Sequence, residues 1–168
     1  GEALHLDVSH VITAEPGQYD DLGLASLPDQ EAHQGPLGGL HTALLHLSQN
    51  EPKSDWCALV SCDMAGIRRE WLAALWQART AESRVVAFGP EPWDTMFALY
   101  HRDLLPQVER RLKDGKRSMW RFIEAAPHVC VPHPDDWHQT ISINTPDDLA
   151  RYLKQRTRAR GAGESDGS

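Results

Sequence analysis

The sequence predicts an α/β domain in which helices cover both faces of a mostly parallel β-sheet. Short runs rich in apolar and β-branched residues alternate along the chain with segments whose apolar residues recur every three or four positions. Strands that alternate with amphipathic helices form crossover units, and these units build a parallel sheet with helices on each face. The expected architecture therefore has three layers.

Five segments have the composition of strands. Trp56–Cys62 is nearly continuous in apolar or small residues, as expected of a central parallel strand that is covered on both faces. Gln139–Ile143 alternates in polarity, which indicates one wetter face. The prolines between His128 and His138 indicate a loop. The predicted strands are Val8–Ala14, Trp56–Cys62, Arg84–Gly89, Met96–Tyr100 and Gln139–Ile143.

Four helices are predicted between and after these strands. Apolar residues recur with helical spacing over Leu40–Leu47, Trp71–Trp76 and Leu104–Leu112. The segment Thr145-Pro146-Asp147-Asp148 predicts the start of the fourth. Threonine can cap a helix, proline suits the first turn, and aspartates favour the positive end of the helix dipole.

Composition limits the function classes. With 168 residues, 40% of them hydrophobic and 24% charged, the chain fits one globular domain, assigned to residues 1–155. Residues 156–168 are rich in Gly, Ser and charge and are expected to form a flexible tail. The net charge of −7 argues against nucleic-acid binding, which needs a basic face, but not against binding a nucleotide.

Location is predicted from two further features. No run approaches the roughly 18 apolar residues that span a bilayer, so no membrane association is expected. Three cysteines, Cys57, Cys62 and Cys130, are too few and odd in number for a disulfide framework. They fit reduced thiols in a cytoplasmic protein.

A glycine-rich segment, Gly35-Pro36-Leu37-Gly38-Gly39, directly precedes the first amphipathic helix. Backbone N–H groups at a helix start are unpaired and carry partial positive charge, so they can hold an anion such as a phosphate. A plain loop whose glycines allow tight packing explains the same composition.

Two polar residues stand at predicted strand ends. Asp63 follows the apolar strand, and in open α/β sheets ligands bind outside the carboxyl ends of the strands. A carboxylate there can hold Mg²⁺, which takes one or two carboxylates together with phosphates. Asp63 could instead cap the helix expected from Arg68 or Arg69, although it lies several residues early. Asn144 lies between a strand end and a helix start, and the cap leaves it unexplained.

Together these stretches resemble the molybdenum cofactor guanylyltransferase family and its nucleotidyltransferase relatives. The family pattern has an Asp before a Gly-Pro-Leu-Gly-Gly-like segment, a strand ending in Cys-Asp, and a late Asn-Thr-Pro-Asp-Asp-Leu-like motif. Here these are Asp29 with Gly35–Gly39, then Cys62-Asp63-Met64, then the motif that begins at Asn144. Met96–Tyr100 resembles the family's Phe-Ala-Leu-Tyr strand, and Gly115–Ser118 its Gly-x-Arg connection. The order matches from about Val8 to Leu153.

The resemblance implies a Rossmann-like sheet and a reaction in which GMP passes from GTP to molybdopterin with release of pyrophosphate. It makes Asp63 the catalytic Mg²⁺ ligand and Asp29 a contact to the guanine or ribose. Gly35, Pro36, Leu37, Gly38 and Gly39 bring backbone to the nucleotide. Asn144 and Arg117 become substrate contacts, on the pterin or metal side and to phosphate, respectively. GTP and molybdopterin are the implied substrates, and a molybdoenzyme or chaperone is the implied class of protein partner.

One departure from the family pattern leaves alternatives open. The family begins with a strand and a glycine-rich loop, Gly-Gly-x-x-x-Arg-Met-Gly-x-Asp-Lys, that cradles the triphosphate. Nothing like this loop occurs here, because the only paired glycines are Gly38 and Gly39 of the later motif. We therefore expect the first strand to be missing. The chain is then a fragment or mis-started form of such an enzyme, or a non-catalytic partner domain, or a remnant with little stable structure. A related cytidylyl or sugar-phosphate transferase is a further alternative.

Trp93 and Trp137 fall in predicted loops, where partial burial is favoured over stacking on a flat ligand such as pterin.

Overall fold

A computed structural model describes residues 11–13, 21, 25–28, 34–89 and 93–163. The strands are β1 (Val11–Thr13), β2 (Ala25–Leu27), β3 (Trp56–Val60), β4 (Met64–Ala65), β5 (Val85–Gly89), β6 (Phe97–His101), β7 (His128–Pro132) and β8 (Ile141–Ser142). The helices are α1 (Gly35–Asn50), α2 (Arg69–Gln77), α3 (Leu105–Lys113), α4 (Met119–Ala125) and α5 (Pro146–Gly163). The predicted α/β class is confirmed.

The central sheet has four strands in the order β3-β6-β5-β7. β3, β5 and β7 run in one direction, and β6 runs against them between β3 and β5. Three of the four strands therefore run in the same direction, as predicted. The hydrogen-bonded neighbours are nevertheless mostly antiparallel, since β5–β7 is the parallel pair of this sheet. Residues 90–96 join β5 to β6, and a connection this short cannot make the crossover that parallel neighbours need.

Side chains of β5 and β6 alternate between two buried layers, because successive residues of a strand point to opposite faces. Val85, Ala87, Ala98 and Tyr100 face the layer that contains α1, α3 and α4. Val86, Phe88, Phe97 and Leu99 face α2, where Trp71 and Leu75 are buried. Helices thus cover both faces of the sheet, as predicted.

Two small sheets accompany the central one. β1 and β2 pair in parallel, with Val11 opposite Ala25. β4 and β8 pair antiparallel, with Met64 opposite Ser142. Among the described strands, none pairs with β3 on the side that faces away from β6. The expected absence of a first strand stays a prediction.

The structure corrects the predicted loop between His128 and His138. Residues His128–Pro132 form β7, an edge strand in which Val129 and Val131 are half-buried and the other three residues are exposed. Proline is tolerated at strand ends and on edge strands, which is why Pro132 does not interrupt it. β2, β4 and α4 were likewise not predicted.

The last helix is longer than the sequence predicts. α5 continues to Gly163 and so includes residues 156–163, which were assigned to the tail. The flexibility of that tail stays a prediction. None of the helices in the described part of the chain combines the length and apolar character that crossing a membrane requires.

Candidate active site

Polar residues singled out in the sequence lie at one edge of the central sheet, the edge at which the carboxyl ends of its parallel strands meet. β3, β5 and β7 all end at this edge because they run in the same direction, and the reversed β6 begins there. Asp63 follows β3 after two residues. The Ser61 backbone N–H donates to the Met96 carbonyl over 2.9 Å, so the Asp63 turn is fastened to the start of β6.

The Asp63 side chain is held in place from within its own turn. It is half-buried, and its Oδ1 accepts a hydrogen bond from the Ser61 hydroxyl. The Met64 backbone N–H donates to the Ser61 carbonyl over 3.2 Å, which closes the turn. The carboxylate is therefore oriented at the carboxyl end of β3, where α/β sheets bind ligands.

The structure brings Asn144 to the Asp63 turn. Pairing of β4 with β8 lays the two segments side by side, and Ile143 donates its backbone N–H to the Asp63 carbonyl over 2.7 Å. Asn144 is the next residue, and its side chain is exposed. The two predicted site residues thus lie next to the paired strands β4 and β8, although 81 positions separate their numbers in the sequence.

The start of α5 explains the neighbours of Asn144 as a helix cap. Asp148 Oδ2 accepts from the backbone N–H groups of Asn144 and Thr145 over 3.2 and 2.9 Å. The Thr145 hydroxyl donates to Asp148 Oδ2 at 2.8 Å and accepts from the Asp148 N–H at 3.2 Å. The Thr145 hydroxyl, followed by the Asn144 N–H, lowers the pKa of Asp148. Thr145 and Asp148 form this reciprocal cap with their side chains, whereas Asn144 contributes its backbone N–H and its side chain is exposed.

The glycine-rich segment forms the first turn of α1. Gly35 has a left-handed φ of 63°, which glycine adopts at low cost. A Cβ at Gly38 would lie 2.4 Å from the Cβ of Gln34, so packing alone requires glycine there. The Leu37 side chain is fully buried in the core, Pro36 is exposed and Gly39 is half-buried. What this segment can offer a ligand is therefore backbone. Asp29 lies outside the described residues.

The first turn of α1 lies toward the same sheet edge as Asp63. Arg102 fastens the other end of α1, donating from Nη2 to the carbonyls of Leu47 and Glu51 over 3.2 and 2.8 Å, beside the start of β3. Residues 51–55 are a short connection, so α1 runs antiparallel to β3 and its N-terminus points to the carboxyl edge. In the described part of the chain, no side chain caps this helix start and no acid occupies its first turn. Its N–H groups can therefore bind an anion.

Arg117 is brought to the glycine-rich segment. α3 ends in a turn in which Gly115 has φ 70° and the Lys116 N–H donates to the Arg111 carbonyl over 2.8 Å. This turn directs the exposed Arg117 toward α1, where its Nε donates to Gln34 Oε1 over 2.9 Å. The guanidinium thus lies beside the start of α1, and a guanidinium is a side chain that pairs well with phosphate.

A family model, the MobA-like NTP transferase domain, matches residues 3–132, more than half of the chain. This chain belongs to the MobA-like NTP transferase domain family. It is 32% identical over 145 residues to a probable molybdenum cofactor guanylyltransferase of Deinococcus radiodurans, covering 83% of this chain and 70% of the relative. It is 27% identical over 135 residues to a molybdenum cofactor guanylyltransferase of Vibrio parahaemolyticus, covering 80% and 67%.

Solved structures support the fold of this MobA-like domain. Molybdopterin-guanine dinucleotide biosynthesis protein A from Archaeoglobus fulgidus superposes with a TM-score of 0.68 at 22% identity, covering 88% of this chain and 77% of that one. A protein from Aquifex aeolicus has a TM-score of 0.68 at 20% identity, covering 80% and 69%. At these identities the structures show the fold alone.

The MobA-like site fits a metal ion that is shared with phosphate. In the described part of the chain, no group of three or more His, Cys, Asp or Glu residues could hold a metal alone. Asp63 provides one oriented carboxylate, and Ser61 a hydroxyl beside it. Magnesium is commonly bound in this way, by one or two carboxylates plus substrate phosphates and water. The donor set therefore fits Mg²⁺ carried with a nucleotide.

Sequence reasoning missed the contact that fixes the segment before β8. Asp136 Oδ1 accepts from Trp71 Nε1 over 3.0 Å, and its Oδ2 pairs with Arg68 Nη1 over 2.8 Å. Trp137 then packs on Trp71, with ring centroids 4.9 Å apart. These contacts anchor the chain just before the strand that carries Asn144 to Asp63. No local pattern in the sequence marks Asp136 for this role.

Proposed function

We propose that this chain is a molybdenum cofactor guanylyltransferase, which transfers GMP from GTP to molybdopterin and releases pyrophosphate. The observation that carries the proposal is the hydrogen bond from Ile143 to the Asp63 carbonyl, because it sets a ligand-facing carboxylate beside Asn144. The names of the relatives in the MobA-like NTP transferase family supply the reaction class. The net charge of −7 fits small-molecule substrates and no nucleic acid.

The nucleotide half of the site is assigned to the glycine-rich segment with Arg117. The start of α1, which no side chain caps among the described residues, offers backbone N–H groups, and the Arg117 guanidinium adds positive charge next to them. Both features favour a triphosphate. Asp29 is assigned to the guanine or ribose on the resemblance stated above. The acceptor half is assigned to Asn144, on the other side of Asp63.

The proposed reaction forms one bond and breaks one. A phosphate oxygen of the acceptor attacks the α-phosphorus of GTP, and the bond from that phosphorus to the bridging oxygen of the pyrophosphate breaks. Mg²⁺ held by Asp63 supplies positive charge against the triphosphate when it is bound. The chain's own contribution is orientation: α1 and Arg117 align the nucleotide, and Asn144 aligns the acceptor.

The proposed function also implies a cellular compartment and a class of protein partner. The chain acts in the cytoplasm on GTP and molybdopterin, and a molybdoenzyme or a chaperone is the class of protein that receives its product. The three sparse cysteines, which suit a reducing compartment, support this location.

Calorimetry of GTP binding with and without Mg²⁺ tests the assignment. We expect binding that depends on Mg²⁺ and that Asp63→Asn weakens at least about tenfold, the cost of removing a charged ligand. Asp55→Asn is the matched control, because Asp55 precedes the same strand at the opposite edge of the sheet and its side chain is 61% exposed. Equal weakening by both variants, or tighter binding of CTP than GTP, would contradict the guanylyltransferase assignment. If the folded chain binds neither nucleotide, the alternative of a non-catalytic partner domain would be favoured.

A further inference from the structure

A cavity of about 420 Å³ opens beside the Asp63 turn. It lies between the connection that leads into β6 and the segment that follows β7. Met96 joins the cavity to the site already described, because it lines the cavity while its carbonyl accepts from the Ser61 N–H. Its six lining residues are Trp93, Asp94, Thr95, Met96, His133 and Trp137.

Aromatic rings form the walls of this cavity and are fixed by the fold. Trp137 packs against Phe88 and Phe97, with centroids 5.0 and 5.6 Å away, and against the His133 ring at 5.2 Å. Trp93 lies over Gly89, where an added Cβ would meet its indole at 3.1 Å. Gly89 thus allows the indole to sit directly on β5. Aromatic side chains that line a cavity suit a flat ring, because stacking tolerates any ring with a π face.

Asp94 is the acidic residue among those that line the cavity. Its backbone N–H donates to the Phe88 carbonyl over 3.0 Å, and its side chain accepts from the backbone N–H groups of Met96 and Phe97. Burial raises the pKa of Asp94, and those two N–H groups and the charge of His133 oppose the rise. A carboxylate has about four acceptor positions, so the two backbone donors leave room for donors from a ligand.

A fixed carboxylate in a cavity lined by aromatic side chains selects the chemistry of its ligand. It accepts hydrogen bonds but donates none when ionised, so it matches a flat heterocycle with adjacent N–H and NH₂ donors. An aminopyrimidinone edge has this pair of donors. It occurs in pterin and in guanine, and both rings are substrates of the proposed reaction.

We infer that the Trp93–Trp137 cavity binds the pterin ring of the acceptor and that Asp94 determines specificity by accepting hydrogen bonds from its aminopyrimidinone edge. The inference rests on the proposed function for the identity of the acceptor. The position of the cavity favours pterin over guanine. The cavity adjoins Asp63 through Met96, whereas the nucleotide half of the site is assigned to the start of α1 and Arg117.

Equilibrium binding of free pterin to the whole chain tests the inference, with the quenching of pterin fluorescence as the signal. Lumazine, which carries a carbonyl where pterin has the amino group, is the matched ligand. We expect pterin to bind about tenfold more tightly than lumazine, the effect of one hydrogen bond to a charged acceptor. Equal binding of the two rings would overturn the role of Asp94, and this comparison requires no variant.

Asp94→Asn tests the residue itself. We expect it to weaken pterin binding about tenfold and to abolish the preference over lumazine, because an amide NH₂ opposes the ligand's donors. Asp135→Asn is the control, since Asp135 is an exposed carboxylate in the adjacent segment that does not line the cavity. Thermal melting of each variant establishes that it is folded. Unchanged pterin binding by folded Asp94→Asn contradicts the inference.

Titration of GMP into the same proteins separates the two rings. We expect Asp94→Asn to leave GMP binding unchanged, and a loss of GMP binding instead of pterin binding would reassign the cavity to guanine. Failure of the proposed function is distinguishable from failure of this inference. Pterin binding without Mg²⁺-dependent GTP binding leaves the cavity assignment standing, and GTP binding without pterin binding overturns the cavity assignment alone.

Discussion

Ile143 donates its backbone N–H to the carbonyl oxygen of Asp63 over 2.7 Å. This bond joins the turn after β3 to the end of β8, two segments that are distant in the sequence. Because the bond uses backbone atoms only, it is retained when the side chain of Asp63 or Asn144 is changed. The contact between the Ser61 hydroxyl and the Asp63 carboxylate, by contrast, depends on the Asp63 side chain.

Asn144→Ala is expected to impair use of the acceptor and to leave the nucleotide in place. The backbone N–H of Asn144 that donates to Asp148 is retained in alanine, so the helix cap persists. Loss of one polar contact should lower kcat/KM for the acceptor about tenfold, while the affinity for GTP with Mg²⁺ changes less than about twofold. Steady-state kinetics with varied acceptor, together with GTP calorimetry, measure both. Asn50→Ala, at the exposed end of α1, is the control, and equal effects from the two variants would refute the assignment.

Arg117→Ala is expected to weaken GTP binding about tenfold, because a charge-assisted hydrogen bond to phosphate is lost. Arg117 is exposed, so the free energy of unfolding should change little. Arg117→Lys keeps the charge without the planar fork and should fall between wild type and alanine. Calorimetry measures the affinities, with Arg121→Ala, an exposed arginine of α4, as the control. GTP affinity in Arg117→Ala equal to that of the wild type would remove this residue from the nucleotide site.

The sequence predicts the long apolar strands well, but it predicts neither β4 and β7 nor the direction of β6. β5 and β6 are apolar runs covered on both faces, and such runs stand out in composition. β3 is also an apolar run, but the prediction of a central strand covered on both faces is wrong for it, because among the described strands it pairs with β6 alone and its Ala58 and Val60 are exposed. β4 spans two residues and β7 ends in proline, so neither shows a strand pattern. The reversal of β6 is not encoded in apolar spacing, which is the same for either strand direction. The short connection from β5 is the feature that could have predicted it.

The positions of the candidate site residues are predictable where these residues follow strand ends and unpredictable where they depend on tertiary contacts. Asp63 and Asn144 each follow a predicted strand, so the sheet edge could be named from the sequence. The hydrogen bond from Arg117 to Gln34 joins positions 83 residues apart, and that from Trp71 to Asp136 joins positions 65 residues apart. Neither pairing has a local signature, because the packing of whole helices brings these side chains together.

Gly38→Ala is expected to destabilise the chain. Alanine normally stabilises a helix interior by about 1 kcal/mol relative to glycine. Here the new Cβ would lie 2.4 Å from the Gln34 Cβ, and relieving such an overlap costs about 1–3 kcal/mol. The steric cost should exceed the gain, so urea unfolding should give a lower free energy of unfolding than wild type. Gln49→Ala, at an exposed position of the same helix, should be neutral within about 0.5 kcal/mol. A stabilised Gly38→Ala would show that the first turn of α1 relaxes freely.

Cys57 is expected to make the chain lose stability in alkali. Burial raises the pKa of its thiol from 9.0 to about 12, against a smaller opposing effect of a backbone hydrogen bond. Below pH 9 the thiol is protonated in both the folded and the unfolded chain, so the neutral buried thiol makes its full contribution to the free energy of unfolding. As the pH rises above 9.0 the unfolded thiol ionises while the folded one does not, and the free energy of unfolding falls. Urea unfolding between pH 8 and about pH 10 should therefore show a steeper loss for wild type than for Cys57→Ser, which cannot titrate there. Cys62→Ser, at an exposed thiol, should retain the wild-type slope, and identical slopes for all three proteins would contradict the burial of the Cys57 thiol.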